Sequence, residues 1–169
     1  MDSMAIFLDT ETTGLTSDDE IVEIAIIDDS GQTLLNTLVK PVKNTTWPQA
    51  QRIHKISPDM VVDAPTLDDL SADIKGIVSG QELVIYNAGF DTKFLKGLLD
   101  DAESIQCCML AWAQYAGEWN DYYNSYKWHK LIVAAAAINY QWSGTAHRAL
   151  ADTLACRAVW DYLKSKASC

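Results

Sequence analysis

The sequence predicts one α/β or α+β domain, spanning residues 1–169, with a mixed sheet flanked by helices. Strand-like runs open the chain, and further strand-like runs then alternate with stretches of helical periodicity. A length of 169 residues and an apolar share of 49% suit one domain with its own core. No internal repeat or linker divides the chain.

Five short runs that are apolar or rich in β-branched residues are predicted as strands. They lie at residues 5–8, 21–27, 33–39, 83–86 and 105–108. Between the second and third strands, Ser30 and Gly31 form a turn, which predicts an antiparallel hairpin. The polar stretch between the first two strands, with Gly14 as a turn residue, is predicted as a loop.

Helices are predicted where apolar residues recur at helical spacing and capping residues precede them. Thr66 begins the clearest one, which carries Leu70 and Ile74 on its apolar stripe and is ended by Gly80. Two short helices begin at Trp47-Pro48 and Ser57-Pro58. Another follows the fourth strand and carries Phe90, Phe94, Leu95 and Leu98 at helical spacing. The remaining helices are predicted over residues 109–115, 129–138 and 146–164.

The net charge of −10 argues, taken alone, against a protein that binds nucleic acid. Such proteins are usually basic, because neutralising phosphates supplies much of their affinity. Four of the negative charges, however, belong to the metal site proposed below. Two divalent cations bound there would place positive charge where a phosphate must dock.

The cysteines and the polarity of the chain indicate a cytoplasmic protein that does not enter a membrane. Cys107, Cys108, Cys156 and Cys169 lack zinc-ligand spacing, so free and mostly buried thiols are expected. No apolar run approaches the ~18 residues of a membrane helix. The acidic N-terminus does not resemble a signal peptide.

Asp9 and Glu11 stand where the first predicted strand meets its loop. Residues two apart on a strand point to the same face, with Cα atoms roughly 6.6 Å apart, so these carboxylates can converge on one site. Hard cations such as Mg²⁺ prefer oxygen ligands of this kind. An isolated pair like this is more often an acidic strand end in solvent.

Two further carboxylates lie on predicted helices. Asp91 stands at a helix start, where the helix dipole alone would favour it. Asp152 shares a helical stripe with Cys156, Val159 and Leu163, the face expected to pack on the sheet. A carboxylate in an apolar stripe is costly unless it is compensated, and a metal is favoured over a buried salt bridge once the other carboxylates are counted.

His147 lies five residues before Asp152, a separation of about 500° on an ideal helix. It is therefore expected in the first turn or the preceding loop, where its side chain can reach over the site. Histidines accept protons near neutral pH, which makes this one a candidate general base. A lone histidine is more often a surface or capping residue.

Three segments together resemble the exonuclease motifs of the DEDDh (DnaQ-like) 3′→5′ exonucleases, a family that includes the epsilon subunit of bacterial DNA polymerase III and exonuclease X. They are DTETTG at residues 9–14, NAGFD at 87–91 and HRALAD at 147–152. The segment IHKIS at 53–57 also resembles a histidine-containing loop of that family. The motifs occur in the family's order and span nearly the whole chain.

This resemblance implies a ribonuclease H-like α/β fold with a five-stranded mixed sheet. It implies His147 as the general base and two divalent cations, Mg²⁺ or Mn²⁺, as cofactors. The implied metal ligands are Asp9, Glu11, Asp91 and Asp152. The implied substrate contacts are Thr12, Thr13, Leu15, Asn87 and Phe90.

The function predicted from the resemblance is removal of nucleoside 5′-monophosphates from the 3′ end of DNA, with single strands as the expected form. The nearest alternative is an RNA exonuclease of the RNase T or oligoribonuclease kind. An inactive metal-binding interaction domain on the same fold is the alternative from another class. With no tail resembling a polymerase-binding extension, a stand-alone role in repair, recombination or a mobile element is favoured over proofreading.

Residues 119–128 are rich in aromatic side chains: Trp119, Tyr122, Tyr123, Tyr126 and Trp128. A packed cover over the helices is favoured over a platform that stacks on unpaired bases, because Lys127 is the only basic residue inside the stretch. Tyr86, where many relatives carry histidine, is expected to end the fourth strand and to pack or hydrogen-bond there. His54 is expected to fix its loop, and His129 to be structural.

Overall fold

The computed structural model describes residues 4–168 and contains the predicted mixed five-stranded sheet. The strands are β1 (Ile6–Thr12), β2 (Ile21–Ile27), β3 (Thr33–Leu38), β4 (Glu82–Ile85) and β5 (Ser104–Cys107). Their order is β3-β2-β1-β4-β5. The first three pair antiparallel, while β4 pairs parallel with both β1 and β5. The acidic N-terminal residues 1–3 and the predicted free thiol of Cys169 lie outside the described residues.

Six helices surround this sheet in the described part of the chain. They are α1 (Pro48–His54), α2 (Leu67–Val78), α3 (Ala88–Asp91), α4 (Cys108–Ala116), α5 (Leu131–Ala137) and α6 (Ala149–Ala167), with 3-10 turns at Pro58–Val61 and Thr92–Phe94. As predicted, Thr66 caps α2. Its hydroxyl accepts from the Asp69 amide, while the Asp69 carboxylate accepts from the Thr66 amide. Between residues 4 and 168, no helix is both long and apolar enough to cross a bilayer.

Both faces of the sheet are covered, and this explains why all of β2 is buried. On one face α2 packs through Leu70, Ile74 and Val78 against apolar residues of the strands. On the other face α4, α5 and α6 form a second core, which includes Phe7 of β1 and the predicted α6 stripe residues Cys156 and Val159. Side chains alternate along a strand, so the positions that follow Phe7 at steps of two face α6.

The segment after β4 differs from its prediction. A single helix carrying Phe90, Phe94, Leu95 and Leu98 was expected, but α3 has only four residues and passes into a 3-10 turn. The Thr92 hydroxyl donates to the Ala88 carbonyl, a local bond that competes with regular helix geometry. Leu95 is nevertheless buried in the core, as the pattern required.

The prediction that residues 119–128 form a packed cover was wrong. Two short strands, β6 (Trp119–Asn120) and β7 (Ser125–Tyr126), pair as a separate antiparallel hairpin. Its aromatic side chains face solvent instead of packing on helices. Helix α5 accordingly begins at Leu131, after the hairpin, and not at His129.

Candidate metal centre

Three carboxylates from two elements meet at the α6 face of the sheet. Asp9 and Glu11 project from β1 on the same side as Phe7, and Asp152 projects from the first turn of α6. One carboxylate oxygen of each lies within 4.8 Å of the others. The strand alternation and the α6 stripe predicted this convergence, and the structure brings these three predicted residues together.

Asp91 lines the same cavity, of about 150 Å³, but lies outside that trio. Its Oδ1 accepts hydrogen bonds from the Thr10 backbone amide at 3.2 Å and the Thr10 hydroxyl at 2.7 Å. These bonds join Asp91, the last residue of α3, to β1. Asp91 is therefore oriented by Thr10, while its charge still acts on Asp9.

Burial and mutual repulsion disfavour negative charge at this centre. Burial, followed by the charges of Asp91 and Glu11, raises the pKa of Asp9 well above its usual range. Burial and the nearby Asp152 raise the pKa of Glu11 to about 9. Burial likewise raises the pKa values of Asp91 and Asp152 to about 6. Additional positive charge at this cluster would stabilise the ionised carboxylates.

The donor set fits a hard divalent cation. Oδ2 of Asp9 is buried and accepts no hydrogen bond, although buried polar atoms are nearly always satisfied. A cation beside this oxygen would satisfy it and relieve the repulsion among the carboxylates. Oxygen ligands of this kind are those that Mg²⁺ and Mn²⁺ prefer.

His147 lies in the turn that leads into α6, as its spacing from Asp152 predicted. Its backbone has a φ of 64°, which is uncommon for a residue other than glycine. Its amide donates to Oδ1 of Asp152 at 2.9 Å. The residue is exposed and lines the carboxylate cavity. The main chain of His147 is thus held by a hydrogen bond to Asp152, and the imidazole remains at the cavity.

Glu23 and Arg148 form part of this centre that sequence reasoning missed. Glu23 lies opposite Glu11 on β2 and is buried. The Arg148 guanidinium donates to both of its carboxylate oxygens, and the Ala149 amide donates to Oε1 at 2.8 Å. A charged residue within the apolar run of β2 was the available signal, because such a charge requires a partner.

The loop after β1 does not bring Thr12 or Thr13 into the carboxylate cavity. The Thr12 hydroxyl donates to the Gly14 carbonyl, and the Thr13 hydroxyl donates to Asp19. Asp19 approaches Gly14 so closely that a Cβ there would lie 2.5 Å from Oδ2. Both threonines thus shape the loop, and a side chain at position 14 would displace the Asp19 carboxylate from its hydrogen bonds to Thr13 and Thr16.

His54 fixes this loop, as expected. The Ile56 amide donates to its Nδ1, so Nε2 carries the proton and donates to the Thr12 carbonyl at 3.0 Å. Burial lowers the pKa of the imidazole, which favours this neutral form. Leu15 at the tip of the loop is 78% exposed, and Lys93 donates to its carbonyl.

Asn87 and Phe90 do line the carboxylate cavity, together with Tyr86. Tyr86 was expected to end the fourth strand, but β4 ends one residue earlier, at Ile85. The expected hydrogen bond is present, since the Tyr86 hydroxyl donates to the His129 carbonyl at 2.7 Å. The cavity therefore offers carboxylates for cations, an imidazole that can accept a proton and an aromatic wall. This combination suits hydrolysis of a phosphodiester bond.

Comparisons with known proteins agree with this chemistry. A model of the RNase_T exonuclease family matches residues 6–159. An uncharacterized exonuclease of Escherichia phage 186 is 45% identical over 159 residues, covering 87% of this chain and 81% of the relative. The DNA polymerase III epsilon subunit of Escherichia coli K12 is 31% identical over 100 residues. That match covers 53% of this chain and 41% of the subunit, so the chain aligns with less than half of the subunit's length.

Among solved structures, exonuclease X in complex with 5′ overhanging duplex DNA matches with a TM-score of 0.76 and 26% identity. The match covers 98% of this chain and 94% of the other. The E. coli exonuclease I complex with single-stranded DNA gives a TM-score of 0.77 at 19% identity. It covers 98% of this chain and 41% of the other, and at this identity it supports the fold alone.

Proposed function

Because the chain belongs to the RNase_T exonuclease family, we propose that it releases nucleoside 5′-monophosphates from the 3′ end of DNA, with single strands as the preferred form. The protein is a DnaQ-like nuclease that acts on nucleic acid and uses divalent metal. We propose further that residues 1–169 form one exonuclease domain carrying this activity.

The proposed metal ligands are Asp9, Glu11, Asp91 and Asp152, holding two cations, Mg²⁺ or Mn²⁺. When bound, such cations lower the pKa of the attacking water and stabilise the leaving 3′-oxygen. The buried, unpartnered Oδ2 of Asp9 supports this assignment, as do the raised pKa values of the cluster.

His147 is the proposed general base, accepting the proton of the attacking water. Its exposed imidazole lies at the cavity, and its main chain is held on Asp152. Leu15, Asn87 and Phe90 are the proposed contacts to the terminal nucleotide. Thr12 and Thr13 are proposed to act indirectly, by holding the loop that presents Leu15.

DNA is proposed over RNA because exonuclease X, 26% identical over nearly the whole chain, is seen with DNA. The similarity to DNA polymerase III epsilon subunits favours the same choice. The observation that carries the proposal is the meeting of Asp9, Glu11 and Asp152 oxygens within 4.8 Å beside the His147 side chain.

The test uses matched 5′-labelled DNA and RNA oligonucleotides with Mg²⁺, Mn²⁺ or EDTA. We expect shortening from the 3′ end of single-stranded DNA with either metal, none with EDTA, and resistance of a 3′-blocked or circular strand. Asp9→Asn should abolish turnover, while Asp18→Asn in the exposed loop serves as the matched control. Faster cleavage of RNA would establish the RNA exonuclease instead, and cleavage of the circle would reveal an endonuclease. A folded, metal-binding protein that cleaves nothing would be an inactive interaction domain.

A further inference from the structure

The hairpin of residues 119–128 exposes a cluster of rings that the core does not use. Tyr122, Tyr123 and Trp128 are 87%, 73% and 61% exposed. Trp119 packs edge-on against Tyr126 at 5.1 Å between ring centroids, and Tyr122 against Tyr123 at 4.8 Å. Contiguous exposed apolar surface of this kind marks an interaction site. These five side chains are called the aromatic hairpin below.

Hydrogen bonds hold the aromatic hairpin beside the candidate metal centre. At its base, the Lys127 amide donates to the Glu118 carbonyl at 2.7 Å, which closes the two arms. The next residue but one, His129, accepts through its carbonyl from Tyr86. Tyr86 directly precedes Asn87 of the candidate site, so the hairpin has a fixed position beside that site.

Three cavities that share lining residues form a path from the carboxylates to these rings. The carboxylate cavity shares His147, Asp152 and Leu131 with a second cavity of about 310 Å³, which Trp128 also lines. Trp128 also lines a third cavity, of about 650 Å³, formed by the hairpin itself. A strand that leaves the carboxylates along this path meets Trp128 first and then Tyr126 or Tyr123.

The chemistry of the path favours unpaired bases as its occupant. Lys127 and Lys130 line it and can contact phosphates, but Lys127 also pairs with Glu118 at 3.5 Å, so charge alone attracts a strand weakly. Ring faces bind any unpaired base by stacking. In a duplex the bases are already stacked on one another and offer no free faces.

We propose that the aromatic hairpin is the platform that binds the unpaired strand behind the 3′ end by stacking with its bases. This inference rests on the proposed function, since the terminal nucleotide must occupy the carboxylate cavity. The proposed preference for single strands then arises at the aromatic hairpin and not at the carboxylates. The hairpin is connected to the carboxylate cavity through Tyr86.

The test compares a thymidine dinucleotide, too short to reach the hairpin, with a thymidine oligonucleotide long enough to cover it. For Trp128→Ala and Tyr123→Ala, the ratio of kcat/KM for the long substrate to that for the dinucleotide should fall on the order of tenfold. Trp128→Phe should restore most of the ratio, because a ring face is retained. Tyr115→Ala removes an exposed ring that lines none of these cavities and is the matched control.

Affinity for the long oligonucleotide is measured alongside turnover, by fluorescence anisotropy. An unchanged ratio and unchanged affinity in Trp128→Ala would overturn the platform, and this is the result expected if the rings bind a protein. Equal losses on the dinucleotide and the long strand would also overturn it. A wild-type protein that cleaves neither substrate refutes the exonuclease proposal instead, while the anisotropy still decides whether the rings bind the strand.

Discussion

Arg148 forms an ion pair with Glu23 across the interface between α6 and β2. The Arg148 Nη2 lies 2.6 Å from Oε2 of Glu23, and the Arg148 Nε lies 3.1 Å from both carboxylate oxygens. The pair ties the start of α6 to the strand that lies opposite Glu11. The Arg148 charge opposes the rise in the pKa of Glu11, and the hydrogen bonds to Glu23 raise the pKa of the guanidinium. The turn that carries His147 is therefore anchored by the residue that follows it.

Replacing Arg148 by glutamine should leave Glu23 buried without its partner. Breaking a fully buried pair costs about 3–5 kcal/mol, and because the arginine side chain is 38% exposed we expect a lower cost, about 1–3 kcal/mol. Urea unfolding measures the loss. The double variant Glu23→Gln, Arg148→Gln should lose less than the sum of the single variants. Strict additivity would show that the pair contributes no coupling.

This pair also shows which contacts of the site could not be predicted from the sequence. The period of two along β1 placed Asp9 and Glu11 together, and the stripe on α6 directed Asp152 toward the sheet. Both are local patterns, and both correctly predicted positions within the candidate site. The partnership of Glu23 with Arg148, 125 positions apart, depends on the tertiary arrangement and has no local pattern.

The prediction that residues 119–128 pack over the helices was wrong for a related reason. A run of tryptophan and tyrosine is equally compatible with burial and exposure, and the outcome depends on how much apolar surface the helices leave uncovered. Here α4, α5 and α6 complete their core with residues such as Trp112 and Leu163. The hairpin rings take no part in that core.

Removing charge from the cluster should stabilise the metal-free protein. Asp9→Asn eliminates a buried carboxylate that repels its neighbours, and each gain of about 1 kcal/mol corresponds to about 2–4 °C in Tm for a chain of this size. Thermal unfolding in EDTA measures the shift, with Asp18→Asn as the exposed control. A lower Tm for Asp9→Asn in EDTA would contradict this account of the repulsion.

The same repulsion predicts how stability depends on pH without metal. The folded-state pKa values of Glu11, Asp91 and Asp152, about 9, 6 and 6, lie above their ordinary values. Such groups favour folding while they are protonated, and that contribution is lost as the pH rises through the folded pKa. The metal-free protein should therefore lose stability from about pH 4 to pH 9. Mg²⁺ should flatten the upper part of the curve, and urea unfolding at several pH values with and without Mg²⁺ tests both expectations.

His147→Asn should lower kcat about 100- to 10,000-fold while leaving metal binding nearly unchanged. Asparagine tolerates the left-handed backbone found at this position, so the turn and its bond to Asp152 should persist. Added imidazole should restore part of the rate, a result that a purely structural role would not give. Full activity in His147→Asn would remove His147 as the base.

His54→Ala should loosen the loop that presents Leu15. The change leaves the Thr12 carbonyl and the Ile56 amide without their partner, at a cost of about 2–4 kcal/mol in unfolding free energy. We expect KM to rise more than kcat falls, because the loop is proposed to hold the terminal nucleotide and not the cations. Ile53→Ala, an exposed change on the same helix, is the control. An equal loss in kcat with unchanged KM would point to a catalytic role for His54 instead.

The acidity of the chain should make the enzyme release its substrate often. Lys93 binds the Leu15 carbonyl, and Lys127 and Lys130 line the path to the aromatic hairpin, so about three phosphates can be neutralised. Each contributes about 0.7 to the salt slope for a single strand, which predicts a slope near −2 for log affinity against log salt. Anisotropy with the slow His147→Asn variant measures this slope.

Two variants test which lysines contribute to the slope. Lys127→Ala should make the slope shallower by about 0.7. Lys164 pairs with Asp161 on α6, so Lys164→Ala should leave the slope unchanged. In turnover, a competitor added after initiation should stop digestion almost at once. A slope steeper than about −4, or digestion that runs to completion past the competitor, would require a basic track along the strand that these lysines do not provide.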